Sequence, residues 1–491
     1  MPDIEKILKR WRLNPVTFVK ECFQWPEGQG PTFQQIEALE WVKDIAMARQ
    51  KKAAGVKLTK AEEELNTKIG LAIKSGQGTG KDAILSLIFW WLLLCFPYPK
   101  GLVTGPTSAQ LEDNLWREFR TWRNLSPLLM QEFDIQSDRI FHKKFKGEWF
   151  VSARTANVRG SEDEQAETLA GMHAPYMIMA VDEASAVPRG VFRPFEGGLT
   201  GEMNFAIIIG NPTRAKGYFF DAFNIDKRHW ITLSWDAEDS PIVDKGNIDR
   251  IASKYGRDSN MFRIRVKGQF PMFDSDTLIP YDWVIDAVDK ETEILPGTYK
   301  IKGLDVGAGG DPTVIVTRQG AKITDITSIN SPDSNQVFNW VMKEVMEDKC
   351  DMLLYDPIGI GWYLESEFIN RKIYIAQPVD VRKESPELAC FRLRDALYWR
   401  LREQFENGRI SIPNDEDLIG ELTTIKYDTS DKTTGLIKIE AKRDMRKRGL
   451  ESPNKADALA LTYFYDELAI KGMETFRRKK EAEKKTNWRT V

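Results

Sequence analysis

The sequence predicts two α/β domains in succession, the first built on a parallel-rich sheet and the second on a mixed one. Three observations point there. Short apolar runs alternate with helical patterns from Ile69 to about Phe270, a second alternation begins at Tyr299, and a stretch richer in turns and acids separates them. The division that follows is 1–270 for the first domain, 271–297 for a linker, 298–470 for the second domain and 471–491 for a basic tail.

Length agrees with this division, because 491 residues exceed what one core holds and suggest about two to four domains. Apolar and charged fractions are those of a soluble globular chain. Cys22, Cys95, Cys350 and Cys390 lie far apart with no CxxC spacing, and His142, His173 and His229 are the only histidines. That pattern argues against a structural zinc site and for a reduced, intracellular protein. The N-terminus mixes charges too densely for a secretory signal. The formal net charge of −3 gives no global pull toward nucleic acid, so any DNA contact must come from local basic patches.

Taken in order, residues 1–45 read as helical, with Ile4, Leu8, Trp11 and Leu13 spaced among charges. Thr59 and Glu62 fit a capping box that opens a surface helix. Strand-like runs follow at LAIKS, GLVTG, WFVSA, YMIMAV and NFAIIIG. The apolar stretch Ala83 to Phe96 falls short of the roughly 20 residues a spanning helix needs, so it predicts a helix buried in the α/β core, with no membrane contact. The second domain starts with YKIKGLDVG, TVIVTR and AKITDITSI. A helix over 335–347, the strands DMLLYD and KIYIAQPV, and a long helix over 386–406 come next. From Lys471 onward eight Lys/Arg face three Glu, a bias that suits a flexible basic arm.

Two groups of residues carry chemistry in the first domain. Strand Leu71–Lys74 runs into Ser75, Gly76, Gln77, Gly78, Thr79, Gly80, Lys81 and Asp82, then directly into the apolar helix. Glycines let backbone N–H groups close around phosphate oxygens, the helix offers its positive end, and Lys81 reaches the β/γ-phosphates. Ser75 replaces the usual first glycine. Asp82 replaces the hydroxyl that normally binds Mg²⁺, which leaves that contact open. A glycine-rich turn between strand and helix is the plainer reading of the loop alone. The run Tyr176–Val181 ends in Asp182 and Glu183, where P-loop ATPases place one acid on Mg²⁺ and the next beside the attacking water. Asn211 follows the apolar strand Phe205–Gly210, at the carboxyl end where doubly wound sheets bind ligands. Gln35, in Pro31-Thr-Phe-Gln-Gln35, either reads adenine or belongs to a helix N-terminus.

In the second domain Asp305 and Asp356 each end a strand, Asp457 opens a helix, and Asp311 lies in a GGDP turn. One acid at each of three element ends, projecting to one sheet edge, is the RNase H-like arrangement. Two Mg²⁺ or Mn²⁺ ions ~3.5–4 Å apart would neutralise such acids and clamp a phosphodiester. Asp311 is also what turn chemistry favours before Pro. Lys442 to Arg448 either binds backbone phosphate beside the acids or forms a solvated loop.

Together these residues resemble the large terminase subunit of tailed bacteriophages, through the order phosphate loop, Val181-Asp-Glu-Ala-Ser185, Gly210-Asn-Pro-Thr-Arg214 and RNase H-like acids. Val151-Ser-Ala-Arg-Thr155 and Glu167-Thr-Leu-Ala-Gly171 share the likeness, which spans roughly Gln35 to Leu461. The resemblance implies a P-loop, RecA/ASCE-like ATPase followed by an RNase H-like nuclease. It further implies a motor that uses ATP and Mg²⁺ to drive double-stranded DNA into a procapsid and cuts the concatemer. The implied partners are the portal protein, a small terminase subunit and further copies in a ring of five. The expected location is the host cytoplasm, transiently on the procapsid and outside the mature virion. Family members use an arginine finger, for which Arg154 and Arg159 are the candidates, although on the residues alone an ordinary surface arginine is the stronger reading of each. The rival reading is a helicase-nuclease of DNA repair, which requires a second RecA-like domain.

Overall fold

The computed structural model describes residues 4–156, 160–272, 276–307, 310–358, 361–429 and 436–465, with a few side chains left aside. It divides into two compact units, residues 1–252 with 260–272, and residues 253–259 with 273–491.

The first unit is built on eight strands: β1 (Gly70–Ser75), β2 (Lys100–Gly105), β3 (Phe133–Ile135), β4 (Arg139–His142), β5 (Phe150–Thr155), β6 (Tyr176–Val181), β7 (Met203–Gly210) and β8 (Trp230–Trp235). Their order across the sheet is β3-β4-β5-β2-β6-β7-β1-β8. From β5 to β8 all neighbours are parallel, and only β3 and β4 run antiparallel at one edge. Side chains alternate between two cores as a strand's two-residue period requires. Leu71 and Ile73 face one core, while Ala72 faces the other.

The apolar run forms the helix Lys81–Cys95, in which Ile84 to Leu93 are buried without exception. It needs no polar face because it lies inside one of the two cores. Among the described residues no helix is long and apolar enough to cross a membrane. The capping box read at Thr59 is formed: its side chain accepts from Glu62 N, and the Glu62 carboxylate accepts from Thr59 N at 2.8 Å.

The second unit contains β9 (Lys300–Asp305), β10 (Thr313–Gln319), β11 (Lys322–Ile329), β12 (Met352–Tyr355) and β13 (Ala376–Pro378), ordered β11-β10-β9-β12-β13. The hairpins β9–β10 and β10–β11 are antiparallel, whereas β9, β12 and β13 are parallel. A two-stranded ribbon, β14 (Tyr427–Asp428) with β15 (Lys438–Ile439), lies outside this sheet. Helix Ser334–Glu347 buries Val337, Phe338, Val341 and Val345 in a core shared with Leu304 and Leu353.

Two stretches differ from expectation. The long helix begins at Leu393 rather than 386, because bridges Glu384–Arg392 and Cys390–Ile437 close residues 384–392 into a loop of turns. Within the region read as a linker, helix Tyr281–Ala287 buries Tyr281, Val284 and Ala287, and Leu278 N donates to Ile425 O at 2.9 Å. Those residues belong to the second unit. The basic tail lies outside the described residues.

Candidate functional site

In the first unit the phosphate-loop residues and the acid pair come together at the carboxyl ends of β1 and β6, with β7 between them. Lys81 Nζ donates to Glu183 Oε1 at 2.6 Å and to Asp82 Oδ1 at 2.9 Å, and lies 3.7 Å from Asp182 Oδ1. Burial works against the Lys81 charge, but Asp182, Glu183 and Asp82 outweigh it and hold the ammonium well above its ordinary range. Asp182 is buried deeply enough that its carboxyl is pushed up to about 7 despite Lys81.

The loop has the backbone a phosphate cradle needs. Gly78 and Gly80 adopt φ of 74° and 80°, and a Cβ on Gly80 would come within 2.6 Å of Gln35 Nε2. Gly76 N donates to Trp235 O and Gln77 N to Arg265 O, while Thr79 Oγ1 donates to Gly76 O. Asn211 Nδ2 donates to Ser75 O at 2.7 Å, tying the end of β7 to the start of the loop. Gln35 belongs to a helix N-terminus, as one of its two readings has it, and also touches the phosphate loop. Its Oε1 accepts from Thr32 N in a capping box, and its Nε2 donates to Gly80 O at 3.2 Å. Glu183 sits at φ 47°, a left-handed conformation that costs a non-glycine residue energy and often marks a functional position. Arg154 Nη1 donates to Thr168 O and Ala170 O of its own chain. Arg159 lies outside the described residues.

In the second unit Asp305, Asp356 and Asp457 line one cleft of about 910 Å³. Asp305 ends β9, and Asp356 follows Tyr355, whose register partner on β9 is Leu304, so adjacent parallel strands deliver both acids. Helix Asn454–Leu461 brings Asp457 in its first turn. Its approach depends on Gly303, where a Cβ would stand 1.9 Å from Ala458 O.

Lys442 stands among these acids, with Nζ 2.7 Å from Asp457 Oδ2 and 3.7 Å from Asp305 Oδ2. On the other Asp457 oxygen, Tyr398 OH donates to Oδ1 at 2.6 Å and Arg394 Nη2 at 3.4 Å. Burial pushes Asp457 up, but Lys442 and Arg394 outweigh it and leave its carboxyl below the ordinary range. Asp305 lies in the same cluster without that support. Burial, offset by Lys442 and reinforced by Asp457 and Asp356, pushes it up to about 7. Burial likewise pushes Asp356 up to about 6. Among the described residues no three Asp, Glu, His or Cys side chains stand together as a ready metal cage. The cluster nevertheless suits divalent cations: it already takes the Lys442 ammonium between two carboxylates, and Asp305 and Asp356 stay raised because that one cation does not offset their burial. Asp311 is turned elsewhere, accepting from Ser452 Oγ at 2.9 Å and Arg446 Nη2 at 3.2 Å.

Sequence reasoning did not single out Arg394, Tyr398 or Gly303. Arg394 and Tyr398 stand four apart on one helix, hence on one face, a polar pair at otherwise buried positions. Of the Lys442–Arg448 segment, which forms a short helix over Lys442–Lys447, Lys442 meets acids of the cleft, Arg446 holds Asp311 and Arg448 pairs with Glu440.

The first unit thus sets a glycine loop, Lys81 and an acid pair at the carboxyl edge of a parallel-rich sheet, and the second sets three acids around a cleft of a mixed sheet. No family model matches the chain. The "Probable terminase, large subunit" of Enterobacteria phage P7 is 29% identical over 434 residues, 81% of this chain and 84% of that protein. Among solved structures, the large terminase of a thermophilic bacteriophage in complex with ADP is 14% identical, covers 88% of this chain and 98% of its own, and has a TM-score of 0.40. The nuclease domain of the large terminase subunit of bacterial virus Sf6, a mutant with manganese and β-thujaplicinol, is 19% identical over 39% of this chain and 99% of its own, with a TM-score of 0.34. The chain is thus similar to phage large terminase subunits across about four-fifths of its length, as the order of its motifs indicates.

Proposed function

We propose that this chain is the motor and nuclease subunit of a viral genome-packaging machine, hydrolysing ATP to move double-stranded DNA into a procapsid and cutting the concatemer. The supporting observation is the presence, in one chain, of Lys81 with Asp182 and Glu183 at the edge of a parallel sheet and of Asp305, Asp356 and Asp457 around one cleft of a mixed sheet. When bound, ATP with Mg²⁺ supplies the driving reaction, and two Mg²⁺ or Mn²⁺ ions supply charge neutralisation for cutting. Lys81 meets the β/γ-phosphates, Asp182 holds the metal and Glu183 orients water. Asn211 and Gln35 keep the loop in shape through Ser75 and Gly80. In the nuclease, Asp305, Asp356 and Asp457 hold the ions, and Arg394 and Tyr398 orient Asp457. Arg154 or Arg159 completes a neighbour's site in a ring of five, assembled with the portal and a small terminase subunit on the procapsid in the host cytoplasm, and absent from the mature virion. The two cores divide as 1–270 and 298–470, with the stretch between them built into the second.

A helicase-nuclease gains no support. The second sheet sets β10 antiparallel to both neighbours, so among the described residues only one sheet is of RecA type.

The deciding experiment is packaging of DNA into purified empty capsids with this protein and ATP. Glu183→Gln should bind nucleotide, lose turnover and lose packaging while still cutting DNA, and near-normal turnover in that variant would overturn the ATPase assignment. Asp457→Asn should lose cutting while keeping turnover.

A further inference from the structure

Most positive charge in the nuclease cleft is already spoken for. Arg394 and Lys442 face Asp457, Lys426 is 2.9 Å from Asp276, Arg382 is 3.2 Å from Asp380, and Arg443 is 3.8 Å from Asp444. Arg392 and Lys438 differ. Both line the cleft and are exposed, and neither forms an ion pair among the described residues, although Lys438 stands opposite Asp428 in the ribbon and adds to the charge that lowers the Asp444 carboxyl. Both approach one ring: Arg392 lies 5.4 Å and Lys438 5.6 Å from the centroid of Phe391, itself 44% exposed at the cleft rim.

This grouping is held by the backbone. Ile437 N donates to Ala389 O at 2.8 Å and Phe391 N donates to Ile437 O at 3.1 Å, so residues 389–391 are stitched to the strand that carries Lys438. The buried Asp395 carboxylate accepts from Arg392 N at 2.8 Å and from Ile439 N at 2.9 Å, which fixes the backbone beside both cations. Two exposed cations beside an exposed aromatic, with no ion pair among the described residues, form a poor apolar docking face and a good anion contact. A polyanion gains most from cations that need not abandon a carboxylate first.

We infer that Arg392, Lys438 and Phe391 form a duplex-DNA contact on the rim of the nuclease cleft: the two cations each neutralise a backbone phosphate, and the ring packs on the sugar edge between them. The inference rests on the nuclease reading and names the residues that hold its substrate.

The test uses the full chain with a short duplex in EDTA, where binding is read without cleavage. Replacing both cations (Arg392→Ala with Lys438→Ala) should weaken binding and reduce the slope of log K against log salt concentration by about 1.8, some 0.9 for each phosphate contact. Phe391→Ala should weaken binding at every salt concentration with the slope unchanged. The charge-keeping pair Arg392→Lys with Lys438→Arg should keep the wild-type slope. Should thermal melting show the alanine pair unfolded, Arg392→Gln with Lys438→Gln takes its place with the same expected slope. An unchanged slope in a folded, charge-removed variant overturns the assignment. So does a loss confined to an unpaired strand of equal length, which would make the occupant single-stranded. Plasmid cleavage by Asp457→Asn, measured in parallel with Mn²⁺, reports on the nuclease reading itself: cleavage at the wild-type rate sinks that reading, whereas its loss alongside an unchanged salt slope sinks only the rim contact.

Discussion

At the scale of single residues, Asp457 and Asp305 show how one cluster assigns two carboxylates different electrostatic states. Asp457 receives Tyr398 and Arg394 on one oxygen and Lys442 on the other, whereas Asp305 has only the more distant Lys442 against two acids. Tyr398 is held far above its ordinary range by burial and by Asp457, so it remains a phenol and a donor. Tyr398→Phe removes a hydrogen bond to a charged group, a change of about 1.5–3 kcal/mol. It should raise the Mn²⁺ concentration for half-maximal cleavage by about tenfold or more while leaving ATP turnover alone. An unchanged metal titration would show that Tyr398 does not orient the acid.

Asp305 carries a pH signature of its own. Its folded carboxyl titrates near 7, above the ordinary value of 3.8, so the metal-free fold is favoured when the group is protonated and loses that contribution as pH rises from about 4 to about 7. In EDTA, Asp305→Asn should therefore melt at a higher temperature than wild type at pH 8, with the gap narrowing at pH 5. A gap that widens toward pH 5 contradicts the sign.

At the scale of elements, the candidate acid site depends on how closely a helix approaches a strand. Helix Asn454–Leu461 packs on β9 where Gly303 has no side chain, and any Cβ there would overlap Ala458 O. Gly303→Ala must push the helix away and take Asp457 out of reach of Asp305. Overpacking of this kind costs roughly 1–3 kcal/mol or more, so chemical denaturation should show a loss of that size together with cleavage near background. Full cleavage in a Gly303→Ala protein of normal stability would show that the approach is not needed. The phosphate loop depends on spacing in a similar way. Gly78 and Gly80 supply the positive φ, and Gln35 closes the loop from a helix whose N-terminus it also caps. Much of this was legible in the sequence because backbone conformation leaves glycines at fixed offsets from Lys81. The start of helix Leu393–Glu406 was not legible, since residues 384–392 are held as a loop by single bridges, Glu384 to Arg392 within the segment and Cys390 to the distant Ile437.

At the scale of the whole molecule, each unit has its own sheet and its own charged cluster. The second unit's fold includes residues that composition marks as linker. Leu278, Ile279 and Val284 are buried in it, each contributing roughly 1.5–3 kcal/mol by burial. A fragment 273–491 should accordingly unfold in one cooperative transition by circular dichroism, and a fragment 298–491 should melt much lower or fail to fold. Equal melting temperatures for the two would mean that helix Tyr281–Ala287 is dispensable.

The sequence by itself singled out the candidates for chemistry: Lys81 in its glycine loop, Asp182 and Glu183 after a buried strand, and three acids at element ends. Strand periodicity and the order loop, helix, strand, acid are local properties, and they survive in a one-dimensional reading. Only the tertiary structure decided which groups face those residues. Lys442 standing between Asp305 and Asp457, Tyr398 reaching an acid 59 positions away, and Lys438 meeting the ring of Phe391 are contacts between residues distant in the chain. Such contacts form once sheets and helices pack, because burial and charge pairing, which no spacing along the chain encodes, select the partners.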